Sequence, residues 1–389
     1  MKRPATRLLA AAIFVTFASQ AHADIAIDVI GGSEVSFEGL VQADGNWFDN
    51  DGVNLNGGSA DEAFGSSSAT GMRRAELVLK GKGTMFDWVM GYDAYADKWL
   101  DVNLKYKMGS MYLQAGQFKQ PNSLEELSST KNNDFIAKAM NTNTFGVSRR
   151  LGVAFGDDHK NWGYVVSGFT RELSENRNYG PGYGGRFYYA PIVDSGQILH
   201  FGISAVDYDT ANDTQRWRTR PDADLASVRL VDTGNILNTD RNTTLGLEGM
   251  WVSGPFKVQA EYMDTNTSRT SATTAPDFNT DSWYVSGVWN ITGETWGYKG
   301  GLPRTPLPND PAKGMWQVGL RYDSINLNDG PIKGGEEDNI TFGVNYYWRS
   351  NFKFMVNYVA VSSSKFSSSA GENVNDDPNI FETRLQFYW

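Results

Sequence analysis

The sequence predicts an all-β transmembrane barrel of about sixteen antiparallel strands, on three observations. Aromatic residues reach 13% in a chain that is polar overall, with 12 tryptophans, 18 tyrosines and 41 glycines. Segments of about ten residues alternate apolar and polar side chains, which on a strand sends the two sets to opposite faces. Short turns alternate with long Gly/Asn/Ser/Asp-rich connections, as they do in barrels with one tight rim and one looped rim. Hydrophobicity hidden in alternation, with aromatics left for the two interfaces, is what a lipid-embedded barrel needs.

The strands can be followed in order. In "RRAELVLKGKG", Ala75, Leu77 and Leu79 oppose Arg74, Glu76, Lys80 and Lys82. "MFDWVMGYDAYAD" sets Phe86, Trp88, Met90 and Tyr92 against Asp87, Asp93 and Asp97. "WLDVNLKYKM" sets Leu100, Val102, Leu104 and Tyr106 against Asp101, Asn103, Lys105 and Lys107. Trp283, Val285, Trp289 and Ile291 share a face further on, as do Ile340, Phe342, Val344, Tyr346 and Trp348. In the last segment, "NIFETRLQFYW", Phe381, Thr383, Leu385, Phe387 and Trp389 oppose Glu382, Arg384, Gln386 and Tyr388. A strand with lipid on one side and water on the other, with both edges paired, explains such a segment at a chain end. A soluble β-sandwich also alternates, but composition, loop phase and this final strand set it aside.

The turns "GKGT", "KMGS", "SGPF" and "WRSN" alternate with long segments at 49–70, 120–148, 172–181, 209–240, 264–280 and 362–379. With Glu34 starting on the inner side, the phase brings the final strand back to that side. The exception is 293–314, a long Pro/Gly-rich segment that falls on the turn side.

Lys2, Arg3 and Arg7, the apolar run Leu8–Ala18 and the small residues around Ala21–Ala23 predict a secretory signal peptide over 1–23, leaving a barrel domain over 24–389. Cleavage removes three basic and no acidic residues, taking the charge from −10 to −13. No cysteine is present, so an exported chain of this length must hold together without disulfides. Export and a barrel together point to a bacterial outer membrane, with lipid and lipopolysaccharide around the wall.

The stretch "GQFKQPNSLEELSSTKNNDFIAKAM" followed by "SRRLGVAF" resembles the phosphate-selective porin family, of the porin O and porin P type. "MRRAELVLKG", "RTRPDADLASVRLVDTG", "LEGMWVSGPFKVQAEY" and "NITGETWGYKGG" extend the resemblance from roughly residue 35 to the C-terminus. The resemblance implies a trimer of sixteen-stranded barrels, a loop after the fifth strand folded into the lumen, and basic residues that draw small anions inward. By motif it assigns the anion pathway to Arg73, Arg74, Lys119, Lys131, Lys138, Arg149, Arg150, Arg218, Arg220, Arg229 and Arg241. Guanidinium forks and ammonium charges are the groups that bind phosphate oxygens, and series of them line anion pores. Alternation sends Arg74 and Arg150 to the lumen. Where the family tends to carry an arginine in the inward loop, this chain has Lys138, which keeps the charge and loses the planar fork. The polar face also carries Glu76, Asp87, Asp93, Asp101, Glu248, Glu261 and Asp323, so the acidic total fits a general or sugar-type diffusion pore as well.

Other patterns resolve into scaffold. "SLEELSST" predicts a helical turn capped by Ser123 with Glu126 three residues on. "DNDGVNLNGGSADE" (49–62) is oxygen-rich but lacks the spacing of a calcium loop, and reads as an outer loop tip. "GPGYGG" (180–185) leads into a strand pattern, not a helix, so it is no nucleotide-binding run. "RWRTRP" is too short for a nucleic-acid site. His159 and His200 stand without a nucleophile motif or a metal-ligand partner set, so no enzyme, cofactor or metal is expected.

Overall fold

The computed structural model describes residues 25–30, 33–57, 65–174 and 180–389. The signal-peptide expectation and residues 58–62 of the first outer loop lie outside the described residues. Five strands precede the long loop 120–148: β1 (Ser33–Asn50), β2 (Gly65–Lys82), β3 (Phe86–Asp93), β4 (Lys98–Met108) and β5 (Met111–Lys119). That loop contains two short helices, α1 (Leu124–Leu127) and α2 (Met140–Phe145). Then come β6 (Arg149–Asp158), β7 (Trp162–Phe169), β8 (Gly182–Asp194) and β9 (Gln197–Asp209). Beyond loop 210–238 lie β10 (Thr239–Ser253), β11 (Phe256–Arg269) and β12 (Phe278–Asn290). The final four are β13 (Met315–Asp329), β14 (Ile332–Trp348), β15 (Phe352–Ser367) and β16 (Asn379–Tyr388).

Each strand pairs antiparallel with its sequence neighbours, and β16 pairs with β1 from Leu40↔Tyr388 to Asp49↔Asn379. The sheet is therefore a closed barrel of sixteen strands, as the alternation predicted. Closure leaves no wall edge unpaired, which lipid would not tolerate. The alternation holds side chain by side chain: on β16, Ile380, Glu382, Arg384, Gln386 and Tyr388 are buried, while Phe381, Leu385 and Phe387 are exposed to the lipid side. At the short-turn rim the aromatics pack in tilted pairs, Trp316 on Tyr346 at 4.6 Å, Phe352 on Phe387 at 4.9 Å and Phe387 on Trp389 at 5.5 Å between ring centres.

The lumen is filled unevenly. From β9 to β16 the inward face is buried residue after residue, whereas the inward positions of β3 and β4 are mostly half-buried. What covers the β9–β16 wall is polypeptide. Loops 120–148 and 210–238 share an apolar cluster with that wall, built from Met140, Phe145, Trp217, Val231, Met263 and Ile325 among others. A second cluster joins Leu55 of the first outer loop to Ala223, Ala226 and Leu230 of loop 210–238 over Val359 and Ile380.

Segment 291–314 starts on the turn side, as expected, but does not stay there. Its hairpin pairs Gly297–Lys299 with Leu302–Arg304, and Trp296 is buried with Leu124, Phe135, Ile198, Met250 and Val288. Thr305 Oγ1 donates to the Asn132 carbonyl at 3.0 Å, so the segment enters the barrel and meets loop 120–148. Chain order places a connection at a rim; its buried tryptophan decides how far it reaches inward.

Candidate functional site

The inward loop is held by the wall, carbonyl by carbonyl. Ser123 caps α1, accepting from Glu126 N at 3.1 Å, as the sequence predicted. Glu261 on β11 accepts from Leu124 N at 2.7 Å and Glu125 N at 2.8 Å, satisfying two otherwise orphan donors of the helix start. Arg384 donates to Ile136 O at 2.6 Å and Arg321 to Ala137 O at 2.9 Å, while Lys353 donates to Asn133 O. Lys257 pairs with Asp134 at 2.5 Å, and Asp323 accepts from Met140 N at 3.1 Å. Much of the cationic lumen wall between β11 and β16 is thus engaged in fastening loop 120–148. Alternation placed Glu261, Asp323 and Arg384 on the polar face; it carried no sign that groups of the loop backbone would meet them.

The eleven cations assigned by motif fall into distinct settings. Arg73 and Arg74 both turn inward, although strict alternation allows only one. The register between β1 and β2 slips between Gln42 and Ala43, a bulge that leaves Arg73 as the extra residue. Arg73 forms a bidentate pair with Asp224 of loop 210–238 at 2.8 and 3.1 Å, and Arg74 pairs with Glu76 at 3.0 Å. Asp224 is half-buried, and desolvation alone would raise its pKa, yet Arg73 and then Arg384 hold it below the usual carboxylate range.

Lys119 donates to the carbonyls of Glu126 and, at 2.9 Å, Ser128. Lys138 pairs with Glu126 inside the loop. Burial alone would push the Glu126 carboxyl up, but Lys138 and then Lys119 bring it down to about 2. Lys131 reaches the lumen, with its ammonium 3.9 Å from Glu38. Arg149 pairs with Asp101 at 2.8 Å, while Arg150 turns to Glu172 in the segment after β7. Alternation had sent Arg150 to the lumen. Arg149, the first residue of β6, is the one lining the two cavities described below, since regular alternation only begins there.

Loop 210–238 brings Arg218, Arg220 and Arg229 together at the outer mouth. The Arg229 guanidinium is held below its ordinary value, first by burial and then by Arg220 and Arg218, with Arg216 adding to the effect. Arg220 donates to the Ala226 carbonyl at 2.6 Å, and Arg218 bridges Asp232 through the backbone. Among the described residues no carboxylate forms an ion pair with any of the three. Arg241 is a correction to the motif assignment. It shares a face with Leu245 and Leu247, both exposed on the lipid side, lies over Tyr183 and pairs with Asp207 and Asp209. Arg241 belongs to the outer surface of the wall, not to the pore.

Two cavities that share Glu76, Asp101, Ser129 and Arg149 lie against the β1–β6 wall. One, of about 330 Å³, is lined by Glu76, Asp101, Lys119, Arg149 and, from the inward hairpin, Pro303 and Arg304. The other, of about 130 Å³, is lined by Glu38, Glu76, Lys80, Asp101, Lys131 and Arg149. Lys80 and Arg304 were not among the motif residues. Lys80 was visible as a polar position opposite Leu79; Arg304 needed the fold, because nothing local says that its hairpin enters the lumen. His200, fully buried, bonds Tyr298 at 2.6 Å and Glu248 at 3.0 Å, tying that hairpin to the wall.

A closed sixteen-stranded barrel, narrowed by an inward loop between β5 and β6 and lined by charge, is the architecture of an outer-membrane porin. The model of the family described as phosphate-selective porin O and P matches residues 41–389, and the chain belongs to that family. Porin O of Pseudomonas aeruginosa is 25% identical over 425 residues, covering 94% of this chain and 92% of that protein. An uncharacterized protein of Caulobacter vibrioides is 28% identical over 310 residues, covering 74% of this chain and 62% of the relative. The fold is shared with an anion-selective porin from Comamonas acidovorans, at TM-score 0.58 and 12% identity over 92% of this chain and 100% of that one. It is shared also with the trimer form of OmpT, an outer membrane protein of Vibrio cholerae, at TM-score 0.57 and 10% identity over 92% of this chain and all of that one (100%).

Proposed function

We propose that this porin passes small anions, phosphate among them, by diffusion, and that it does so as a homotrimer. The observation that carries the reading is the arginine group of loop 210–238. Three clustered guanidinium groups, two of which lie close enough to Arg229 to add to the effect of its burial, without carboxylates in ion-pair contact among the described residues, raise the local concentration of oxyanions at the mouth. Guanidinium forks suit phosphate oxygens, and several weak contacts in series allow an ion to leave as well as enter. Below the mouth, Arg73, Arg74, Lys131, Lys119 and Arg149 offer further cationic contacts along the β1–β6 side, each shared with a carboxylate or a carbonyl. Lys138 contributes through Glu126, by holding the loop. The family's description, the relative called Porin O, the fold neighbour called anion-selective and the neighbour in trimer form all support this reading.

The test is chloride current through the full barrel in planar bilayers, titrated with inorganic phosphate. Wild type is expected to show phosphate block. Replacing Arg218, Arg220 and Arg229 together by alanine is expected to raise the half-blocking concentration by about tenfold, some 1.4 kcal/mol over three partly screened contacts. Block that is absent in wild type, or unchanged in the triple variant, would refute the reading.

A further inference from the structure

The narrow part of the pathway does not carry the charge of its mouth. Around the smaller cavity the lining offers three carboxylates, Glu38, Glu76 and Asp101, and three cations, Lys80, Lys131 and Arg149. Lys80 pairs with Glu38 at 2.5 Å, Arg149 with Asp101 at 2.8 Å, Lys131 lies 3.9 Å from Glu38, and Glu76 is paired with Arg74 beside it at 3.0 Å. Glu76, Asp101 and Arg149 also line the larger cavity, where Lys119 and Arg304 join them. All of this sits on the β1–β6 side, where Ser129 of loop 120–148 lines both cavities opposite the wall. Around the smaller cavity a plain anion drawn in by the mouth arginines meets as many lining carboxylates as lining cations.

From this balance we infer that the constriction favours zwitterionic solutes, those that carry an ammonium group a few atoms from a phosphate or carboxylate. Such a molecule is attracted at the mouth through its oxyanion. In the narrow part its ammonium faces Glu38, Glu76 or Asp101 while its oxyanion faces Arg149, Lys131 or Arg304. Ion pairs already spanning the lining exchange one partner for the solute's own charge of the same sign, so no carboxylate is left without a counter-charge. An anion of equal size gains the second set of contacts only, and is repelled by the first. The inference rests on the proposed anion reading for the mouth and adds a permeant class for the constriction.

The experiment compares two probes on the reconstituted porin: O-phosphoethanolamine, and ethyl phosphate, which has the same ester without the ammonium. Phosphoethanolamine is expected to block chloride current at a concentration about threefold or more below ethyl phosphate, the range of one partly exposed ion pair. Glu76→Gln is expected to abolish that difference and to strengthen ethyl phosphate block, because a repelling carboxylate is gone. Glu38→Gln, which frees Lys80 and Lys131, is expected to do the same should Glu76→Gln not fold. If ethyl phosphate blocks as well as or better than phosphoethanolamine, or if the variants shift both probes equally, the inference is overturned and the anion reading stands. If neither probe blocks, both fall.

Discussion

Replacing Arg384 by methionine tests how loop 120–148 is held inside the barrel. Arg384 is 3% exposed and Asp44, its partner across the β1–β16 closure, 5%. The guanidinium donates to both Asp44 oxygens at 2.7 and 2.6 Å, to the Ile136 carbonyl at 2.6 Å, and to Asp224 of loop 210–238 at 3.2 Å. Methionine fills the volume but strands a buried carboxylate, at a cost of about 3–5 kcal/mol. It also leaves the Ile136 carbonyl, the loop's own contact, without its donor, which accounts for about 1–3 kcal/mol. Adding Asp44→Asn removes the stranded charge and leaves mainly the carbonyl term, so the double variant separates wall from loop. Trypsin reads the loop directly, since Lys131 and Lys138 lie on it and a protease cannot enter the lumen. Cleavage there follows the population in which the loop has left its seat. At 1.4 kcal/mol per tenfold, the carbonyl term alone predicts about tenfold to 10²-fold faster cutting in the double variant, and more in Arg384→Met. Cutting at the wild-type rate in a barrel that remains closed would mean that Arg384 does not hold the loop.

Two further outcomes follow from the same contacts. Glu126 titrates near 2 because of Lys138 and Lys119. A carboxyl whose folded pKa is depressed stabilises fully above its ordinary pKa and loses that contribution as pH falls through the folded value. The difference in unfolding midpoint between wild type and Glu126→Gln is therefore expected to be constant above about pH 5 and to fade toward pH 2; a difference that fades between pH 7 and 5 would contradict the pairing. Gly39 lies under the terminal indole, where an added Cβ would stand 2.1 Å from a ring carbon of Trp389. Gly39→Val is expected to displace Trp389 from Phe37 and Phe387 and lower stability by about 1–3 kcal/mol, read as a lower urea midpoint; an unchanged midpoint would refute the contact.

The wall was legible in the sequence because barrel physics acts residue by residue. Phe381, Leu385 and Phe387 declare their face by parity alone, and so do Trp283 and Val285. Loop phase was legible for the same reason, down to the rim on which segment 291–314 begins. Parity fails where the backbone departs from it: the bulge that turns Arg73 inward and the start of β6, which gives the cavities to Arg149 and not Arg150. The motif assignment failed at Arg241, where parity with Leu245 would have corrected it. What could not be read locally is occupancy. Arg321, Lys353 and Arg384 look like pore cations in the alternation, and become loop fasteners only because carbonyls 184 to 248 residues away arrive to meet them. Arg304 is the converse, a residue of an apparent rim turn that Trp296 anchors inside the lumen.

Mouth arginines with no carboxylate in ion-pair contact among the described residues outweigh an acidic chain in setting selectivity, and the zero-current potential across a potassium chloride gradient reads that balance. The expected potential has the sign set by chloride and is reduced when Arg218, Arg220 and Arg229 are replaced by alanine. A potential near zero, or of the sign set by potassium, would contradict it.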